Sequence, residues 1–393
     1  MPAPLSGITV VSIEQAVAAP FATRQLADLG ARIIKIERPD GGDFARGYDA
    51  TVGGLSSYFV WLNRSKESLT LDLKRPAGQD ILARLLERAD VFVQNLAPGA
   101  AVRIGASASD LRARHPRLIT CAVSGYGSTG PYARKKAYDM LVQAEVGLVS
   151  ITGTEEAPSR VGISVADIAA GMYAYSGILT ALLARHTTGT GSSIEVSLFD
   201  ALSEWMSAPA YFTAYGGTPP ARTGAAHATI APYELFVSED QIEVYLGIQN
   251  QREWVKFCDL VLGQPELAVD ARYATNADRV AHRSELHQSI AAVFADLPAA
   301  RILDRLVTVG IAYGRRNSVR EFLDHPQLNE RNRWAKIGSP IGPLLALRPP
   351  VLTDNADPVM GDIPELGQHN QSILEELGFD ADVIAAWRTE GVI

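Results

Sequence analysis

Between Arg160 and Arg185 the chain carries a single charged side chain, Asp167. Around it, Ile168, Met172, Tyr175, Ile178, Leu179 and Leu182 recur at helical spacing, so the stretch reads as a buried helix with a carboxylate at its mouth. An acid in the first turn can simply complement the helix dipole or cap the free N–H groups. A second reading is chemical. Ala166, Ala169, Ala170 and Gly171 leave room for a large group to approach, and an ionised, poorly hydrated carboxylate is a usable nucleophile. The helix N-terminus is expected to keep Asp167 ionised.

Other candidate groups carry less. Arg38, Lys74, Arg103 and the pair Lys135-Lys136 fall after apparent strands. Singly they read as solvated charges, and together they could cradle a polyphosphate. Gly125 to Gly130 matches G-x-G-x-x-G, but "PYARKKAYD" follows instead of a helix and an acid-ending strand, so a loop is expected there rather than a nucleotide cradle. No G-x-S-x-G elbow occurs. The histidines are dispersed, and the closest pair, His282 and His287, does not share a helix face, so no metal site is expected. His227, in "AAHATIAPY", is either a structural histidine or a substrate contact.

The elements that must position these groups alternate. "GITVVSIE", "ARIIKIE", "DVFVQN" and "LITCAVSGYG" read as strands separated by helices such as "PFATRQLADLG" and "PAGQDILARLLERA", with a helix from Asp167 to His186 and then "SIEVSLFD". Alternation with apolar strands implies a parallel sheet covered on both faces, with the active site at the strands' carboxyl ends. After Gly216 the texture changes. "GGTPPARTGAAHAT" reads as a connector, and "APYELFVSEDQIEVYLGI" as a hairpin turning near Ser238 to Asp240. Helices are expected over 251–262 and 283–296. The expected division is a large α/β domain over 1–200 completed by 355–393, a linker over 201–224, a small α+β domain over 225–330 and a return linker over 331–354.

Net charge is −8 without charged blocks, against a nucleic-acid binder or a polybasic anchor. The start of the chain does not read as a signal peptide, and no run of ~18 uninterrupted apolar residues suggests a membrane span. Cys121 and Cys258 read as buried thiols of a reducing compartment, expected to be cytoplasmic. The acceptor pattern at Asn63 to Ser65 then has no meaning.

Taken together, "PLSGITVVSIEQAVAAPFATRQLADLGARIIKIERPDGGDFAR", "LNRSKESLTLDLKRPAG", "ADVFVQNLAPGAAVRIG", "SGYGSTGPYARKKAYDMLVQAEVGL", "GISVADIAAGMYA" and "LGQHN" resemble the family III CoA-transferases, which share a fold with α-methylacyl-CoA racemases. The resemblance spans essentially the whole chain. It implies a Rossmann-like α/β large domain with a smaller α+β domain, in an interlocked homodimer. It places the family's catalytic aspartate on Asp167, acting through a mixed anhydride and an aspartyl-CoA thioester, with CoA thioesters as substrates and no permanently bound cofactor. It places Arg38, Leu71, Lys74, Asn95, Leu96, Arg103, Ile104, Lys136 and Tyr138 along the CoA-binding surface. Each step develops an oxyanion, so backbone N–H donors are expected near the helix start.

Departures sharpen the expectation. Tyr138 stands where racemases carry a histidine base, which favours transfer over racemisation. Val17 replaces the first-loop glutamine of formyl-CoA transferase, and no tetraglycine loop precedes "HATIAPY", which argues against formyl-CoA and oxalate. The layout is closer to the branch that moves CoA from succinyl-CoA to dicarboxylic acids. Itaconate, mesaconate, citramalate, malate and hydroxymethylglutarate are all open as acceptors. Arg315 and Arg316 follow Gly314 where relatives carry Pro and an aliphatic residue, and one of them is expected to grip the acceptor's second carboxylate. The competing readings are a racemase and a silent CoA-binding scaffold.

Overall fold

The computed structural model describes residues 2–354 and 356–393, which fall into two compact units. Of the described residues, the first comprises 2–146, 162–206, 327–354 and 356–393, and the second 147–161 and 207–326.

The first unit is built on six parallel strands: β1 (Thr9–Ile13), β2 (Arg32–Glu37), β3 (Lys66–Thr70), β4 (Val91–Gln94), β5 (Ile119–Ser124) and β6 (Ser193–Ser197). Their order is β3-β2-β1-β4-β5-β6. Val11 sits opposite both Ile34 and Phe92, so β1 is the central strand from which the chain winds outward each way. Strands buried on both faces need a nearly continuous apolar run, which β1 and β4 supply with "TVVSI" and "VFVQ". The helix Pro76–Arg88 packs Ile81, Leu82, Leu85 and Leu86 into one core with Val11, Ile34 and Phe92, and the C-terminal helices add Ile373, Leu374 and Ile384. Order reverses between β1 and β4, and ligands of open α/β sheets bind outside the carboxyl ends at such a switch point.

The long helix Val165–Thr188 starts two residues before the expected Asp167 and runs two past His186. Gly189 closes it in the left-handed conformation, φ 74°. By length and composition it could cross a membrane. Here its face of small residues, Ala166, Ala169, Ala170, Gly171 and Ala174, is buried, and it packs extensively on the helix Ala18–Asp28. A Cβ on Gly171 would lie 2.7 Å from the Ala18 carbonyl oxygen, so glycine there sets the close approach of the two helices. The segment "SIEVSLFD" gives β6 and then turns directly into a helix. Ser197 accepts from the Asp200 amide and opens the helix Leu198–Trp205.

In the second unit β7 (Tyr233–Val237), β8 (Glu243–Gly247) and β9 (Ala312–Arg315) form an antiparallel sheet. Phe236 and Val244 face a core of Trp254, Phe257, Phe294 and Leu306. The expected helix over 251–262 is an α-helix to Lys256 continued by a π-helical turn. The amphipathic helix Ala299–Val309 was not expected from sequence. Residues 147–161 group with this unit, because the Arg222 guanidinium donates to the Ser150, Thr154 and Glu155 carbonyls and the Gly224 amide to Gly153. The stretch 331–354 groups with the first unit and contains a hairpin, β10 (Trp334–Ile337) with β11 (Leu344–Leu347). Both cysteines are buried and free.

Candidate active site

A helix begins with four N–H groups that have no intrahelical acceptor. Ser164, at the N-cap of the long helix, offers no side-chain bond to them. Asp139 does: its Oδ1 accepts from the Ala166 amide at 2.7 Å and from the Asp167 amide at 3.3 Å. Its Oδ2 accepts from Gln143 at 2.7 Å. Asp139 itself opens the helix Asp139–Glu145, so one carboxylate ties two helix starts together.

The half-buried Asp167 is therefore not held ionised, as its place on the helix suggested. Burial first, and the Asp139 charge second, push its pKa up to about 7. The dipole is present, but Asp139 occupies the N–H groups through which it acts. Tyr48 lies close enough to feel Asp167. Burial, then Asp43, then Asp167 raise its phenol to about 12, so it stays a protonated donor.

The loop after β1 leads into the helix Ala18–Asp28, which packs on the long helix. Ala16 is left-handed at φ 62°, rare for a residue with a side chain. Its amide donates to Asp43 Oδ1 at 3.0 Å. The Asn95 amide brackets Gln15, accepting from its N–H at 2.9 Å and donating to its carbonyl at 2.8 Å. Beneath lies a buried ionic cluster. Lys35 donates to Asp43 Oδ2 at 2.6 Å and to Asn63 at 3.0 Å. Lys66 donates to Glu14 at 2.7 Å and to the Pro20 carbonyl at 3.1 Å, and Thr23 donates to Glu14 at 2.7 Å. Burial opposes the charge on Glu14, yet Lys66 and Lys35 hold its carboxyl below the usual range. Burial drags Lys66 down to about 8.

Above this cluster, at the carboxyl ends of β1 to β4, opens a cleft of about 350 Å³. Arg38, Leu71, Lys74, Leu96 and Ile104 line it. Arg38 and Lys74 keep exposed side chains at its rim, while Leu71 is part of the core behind it. Of the remaining residues expected along the CoA surface, Asn95 spends its amide on Gln15. Arg103 and Lys136 are exposed, and Tyr138, 66 % exposed, caps the helix that Asp139 begins. Val17 is 2 % exposed, so its side chain faces the core and presents no surface to a substrate. The glycine-rich Gly125 to Gly130 is a loop pinned by Ser128 to Glu195 of β6, and no helix opens from it.

In the second unit His227 stacks on Tyr233 with ring centroids 5.3 Å apart. Its Nδ1 accepts from the Thr229 amide at 3.2 Å, which leaves Nε2 to carry the proton. With Tyr233, Tyr245, Gly247, Gln249 and Gly314 it lines a cleft of about 580 Å³. Arg316 is paired with Glu243 at 2.5 Å. Arg315 is exposed, and its side chain makes no hydrogen bond or ion pair among the described residues.

A reversing parallel sheet, a basic-rimmed cleft at its switch point and a carboxylate with a raised pKa define an α/β protein suited to acyl chemistry on a phosphate-bearing carrier. Residues 5–370 match the model of CoA-transferase family III, and the chain belongs to that family, whose substrates are CoA thioesters. It is 34 % identical to the succinyl-CoA:glutarate CoA-transferase of Mus musculus over 400 residues, covering 99 % of this chain and 90 % of that one. It is 37 % identical to the acetyl-CoA:oxalate CoA-transferase of Acetobacter aceti over 342 residues, covering 86 % of this chain and 87 % of that one. The crystal structure of a CAIB/BAIF family protein from Brucella suis superposes with a TM-score of 0.83 at 33 % identity, over 96 % of this chain and 100 % of that one.

Proposed function

We propose that this protein transfers CoA from succinyl-CoA to a small dicarboxylic acid, with Asp167 as the group that is acylated. The observation that carries the reading is Asp167 itself, a half-buried carboxylate whose resolved charged neighbour is another carboxylate rather than a cation. Such a group is poorly stabilised as an anion and gains by forming a neutral acyl bond.

The reaction balances without proton transfer. An Asp167 oxygen bonds to the succinyl carbonyl carbon, the C–S bond breaks, and CoA leaves as the thiolate. The thiolate attacks the Asp167 carbonyl carbon of the anhydride, and succinate leaves as a carboxylate. The acceptor carboxylate then attacks the aspartyl-CoA thioester, and the two steps run in reverse. The Ala166 and Asp167 amides are engaged by Asp139, so the oxyanions of these steps need donors elsewhere. Tyr48, a neutral phenol near enough to feel the Asp167 charge, has the right character. Arg38 and Lys74 at the cleft rim suit the CoA phosphates, with Leu96 and Ile104 against its adenine and the buried Leu71 behind them. Arg103, Lys136 and Tyr138 are exposed and free to join that surface.

Relatives named for glutarate and for oxalate support a dicarboxylic acceptor. The oxalate-named relative puts oxalate among the acids to be tried as acceptor. We read the protein as a homodimer of a reducing, cytoplasmic compartment. The helix Ser207–Gly216 buries none of its side chains and exposes Tyr211, Phe212 and Tyr215, as a surface meant for a second copy would. Incubation with succinyl-CoA and a panel of acids, followed by mass spectrometry of the CoA products, tests the reading. Dicarboxylates should outcompete monocarboxylates, and α-proton exchange of a 2-methylacyl-CoA in deuterated water should be negligible. Efficient exchange without any acid acceptor would make the protein a racemase instead.

A further inference from the structure

Asp139 does more than close a helix. Its Oδ1 holds the amides of Ala166 and Asp167, and Gln143 holds its other oxygen, so the carboxylate is fixed on the turn that carries Asp167. Other ionisable groups on the elements packed around the long helix are engaged elsewhere. Arg24 pairs with Asp28, Glu145 with Lys135, Glu195 binds Ser128, Asp200 binds Ser197, and Glu204 has a partner too. Cys121 of β5 stays a buried thiol. From the segment after β2 comes Tyr48, a phenol that stays neutral. None of these brings a positive charge to Asp167, whose resolved electrostatic neighbour is Asp139.

We propose that Asp139 is a positioning residue of the transfer reaction: it fixes the first turn that carries Asp167 and sets an uncompensated negative charge beside it, so that each acylation of Asp167 relieves a like-charge repulsion. The proposal rests on Asp167 being the acylated group. In the resting site two carboxylates confront each other. When an Asp167 oxygen bonds to the acyl carbon, the negative charge departs on the CoA sulfur. Asp167 is neutral in the anhydride and again in the thioester, after the acid has left as a carboxylate. Only the resting state carries both charges, so the repulsion raises it relative to both covalent states. The same repulsion makes the ionised Asp167 more basic, hence a stronger nucleophile once its proton is gone.

The test uses the full-length protein with Asp139→Asn and Asp139→Ala. Asparagine keeps an oxygen for the Ala166 and Asp167 amides and loses the charge, while alanine loses both. The first measurement needs no turnover. Urea stability from pH 4 to 9, each protein compared with its Asp167→Asn counterpart, reads the titration of Asp167. Asp139→Asn should lower the midpoint by about one pH unit or more. The second is intact-mass detection of the CoA adduct at pH 8, with succinyl-CoA and enough succinate that wild type is partly labelled. The adduct should fall several-fold in Asp139→Asn while KM for succinyl-CoA changes less than twofold. If Asp139→Asn titrates and labels like wild type and only Asp139→Ala is impaired, Asp139 is a helix cap and the proposal is overturned. Should Asp139→Ala fail to fold, Asp139→Asn alone decides. If wild type forms no adduct at Asp167, the transfer mechanism above fails, and the titration still decides what Asp139 does to its neighbour.

Discussion

Glu14 and Asp167 belong to the same unit, and their surroundings are opposite. Glu14 is fully buried, accepts from Lys66 and Thr23, and is held below the usual carboxylate range. Asp167 is less buried, has no cation partner among the described residues, feels the Asp139 charge and is pushed up to about 7. Burial alone therefore does not mark the reactive carboxylate. Glu14, with Lys35, Asp43 and Lys66, is spent on holding the ends of β1, β2 and β3 and the left-handed Ala16. Asp167 has been denied the partners that would make it equally inert. A paired carboxylate shapes the site, and an unpaired one is left to do chemistry.

The contrast breaks most sharply at Asp167. Asp167→Ala should lower turnover at least about a thousandfold, ~4 kcal/mol of barrier, with the fold intact by circular dichroism. Hydroxylamine added to wild type with acyl-CoA should mark this residue; near-normal turnover of the variant would remove it from the mechanism. At the paired site the loss should be in stability. Lys35→Met strands Asp43 and should cost about 3–5 kcal/mol by urea unfolding. A loss under ~1 kcal/mol would mean that water reaches the cluster.

The two sites should also differ in pH dependence. Asp167 has a folded-state pKa above its unfolded value of about 4, so the folded state binds its proton more tightly. Its contribution is fully present below pH ~4 and is lost as pH rises through about 7. Asp167→Asn should consequently gain on wild type between pH 4 and 8, by about 2–4 kcal/mol, and lie level with it at pH 4. Over the same interval wild-type kcat/KM should climb, because only the ionised carboxylate attacks. Glu14 has the opposite sign: its pKa is lowered, so its contribution is present above pH ~4.5 and fades as pH falls below that.

How legible these regions were follows from the patterns they leave. The long helix could be read because a 3.6-residue apolar period ends at Gly189, and the strands because β-branched runs alternate with helices. The ionic cluster was missed because Lys35 and Lys66 look like ordinary surface lysines. The signal was there in "RIIKIE", since a lysine inside the apolar run of a strand buried on both faces must be paired. Asp139 was passed over for its neighbour Tyr138, because capping of a distant helix leaves no local pattern. Asn95 and Val17 were placed by resemblance on substrate surfaces. The structure commits the Asn95 amide to a backbone bracket and turns Val17 inward, which residue type alone does not reveal.

The smallest expected effect separates two adjacent arginines. Arg316 is tied to Glu243, and taking it for a substrate would first require breaking that pair. Arg315 carries no such tie, and the nearby carboxylates Asp240 and Glu321 only feel its charge. A dicarboxylic acceptor attacks with one carboxylate and needs a partner for the other, for which a free guanidinium fork is suited. One such charge-assisted contact is worth roughly 1.5–3 kcal/mol when shielded, and an exposed arginine delivers the lower end. Arg315→Ala should therefore raise KM for the dicarboxylate about tenfold and leave KM for succinyl-CoA within twofold. Arg316→Ala should change both by less than threefold, since it frees Glu243 without removing a substrate contact. Steady-state kinetics with the acceptor varied at saturating donor gives the split. If the two variants are equally mild, the second carboxylate is held elsewhere, and the cleft of His227 and Tyr233 becomes the next place to look.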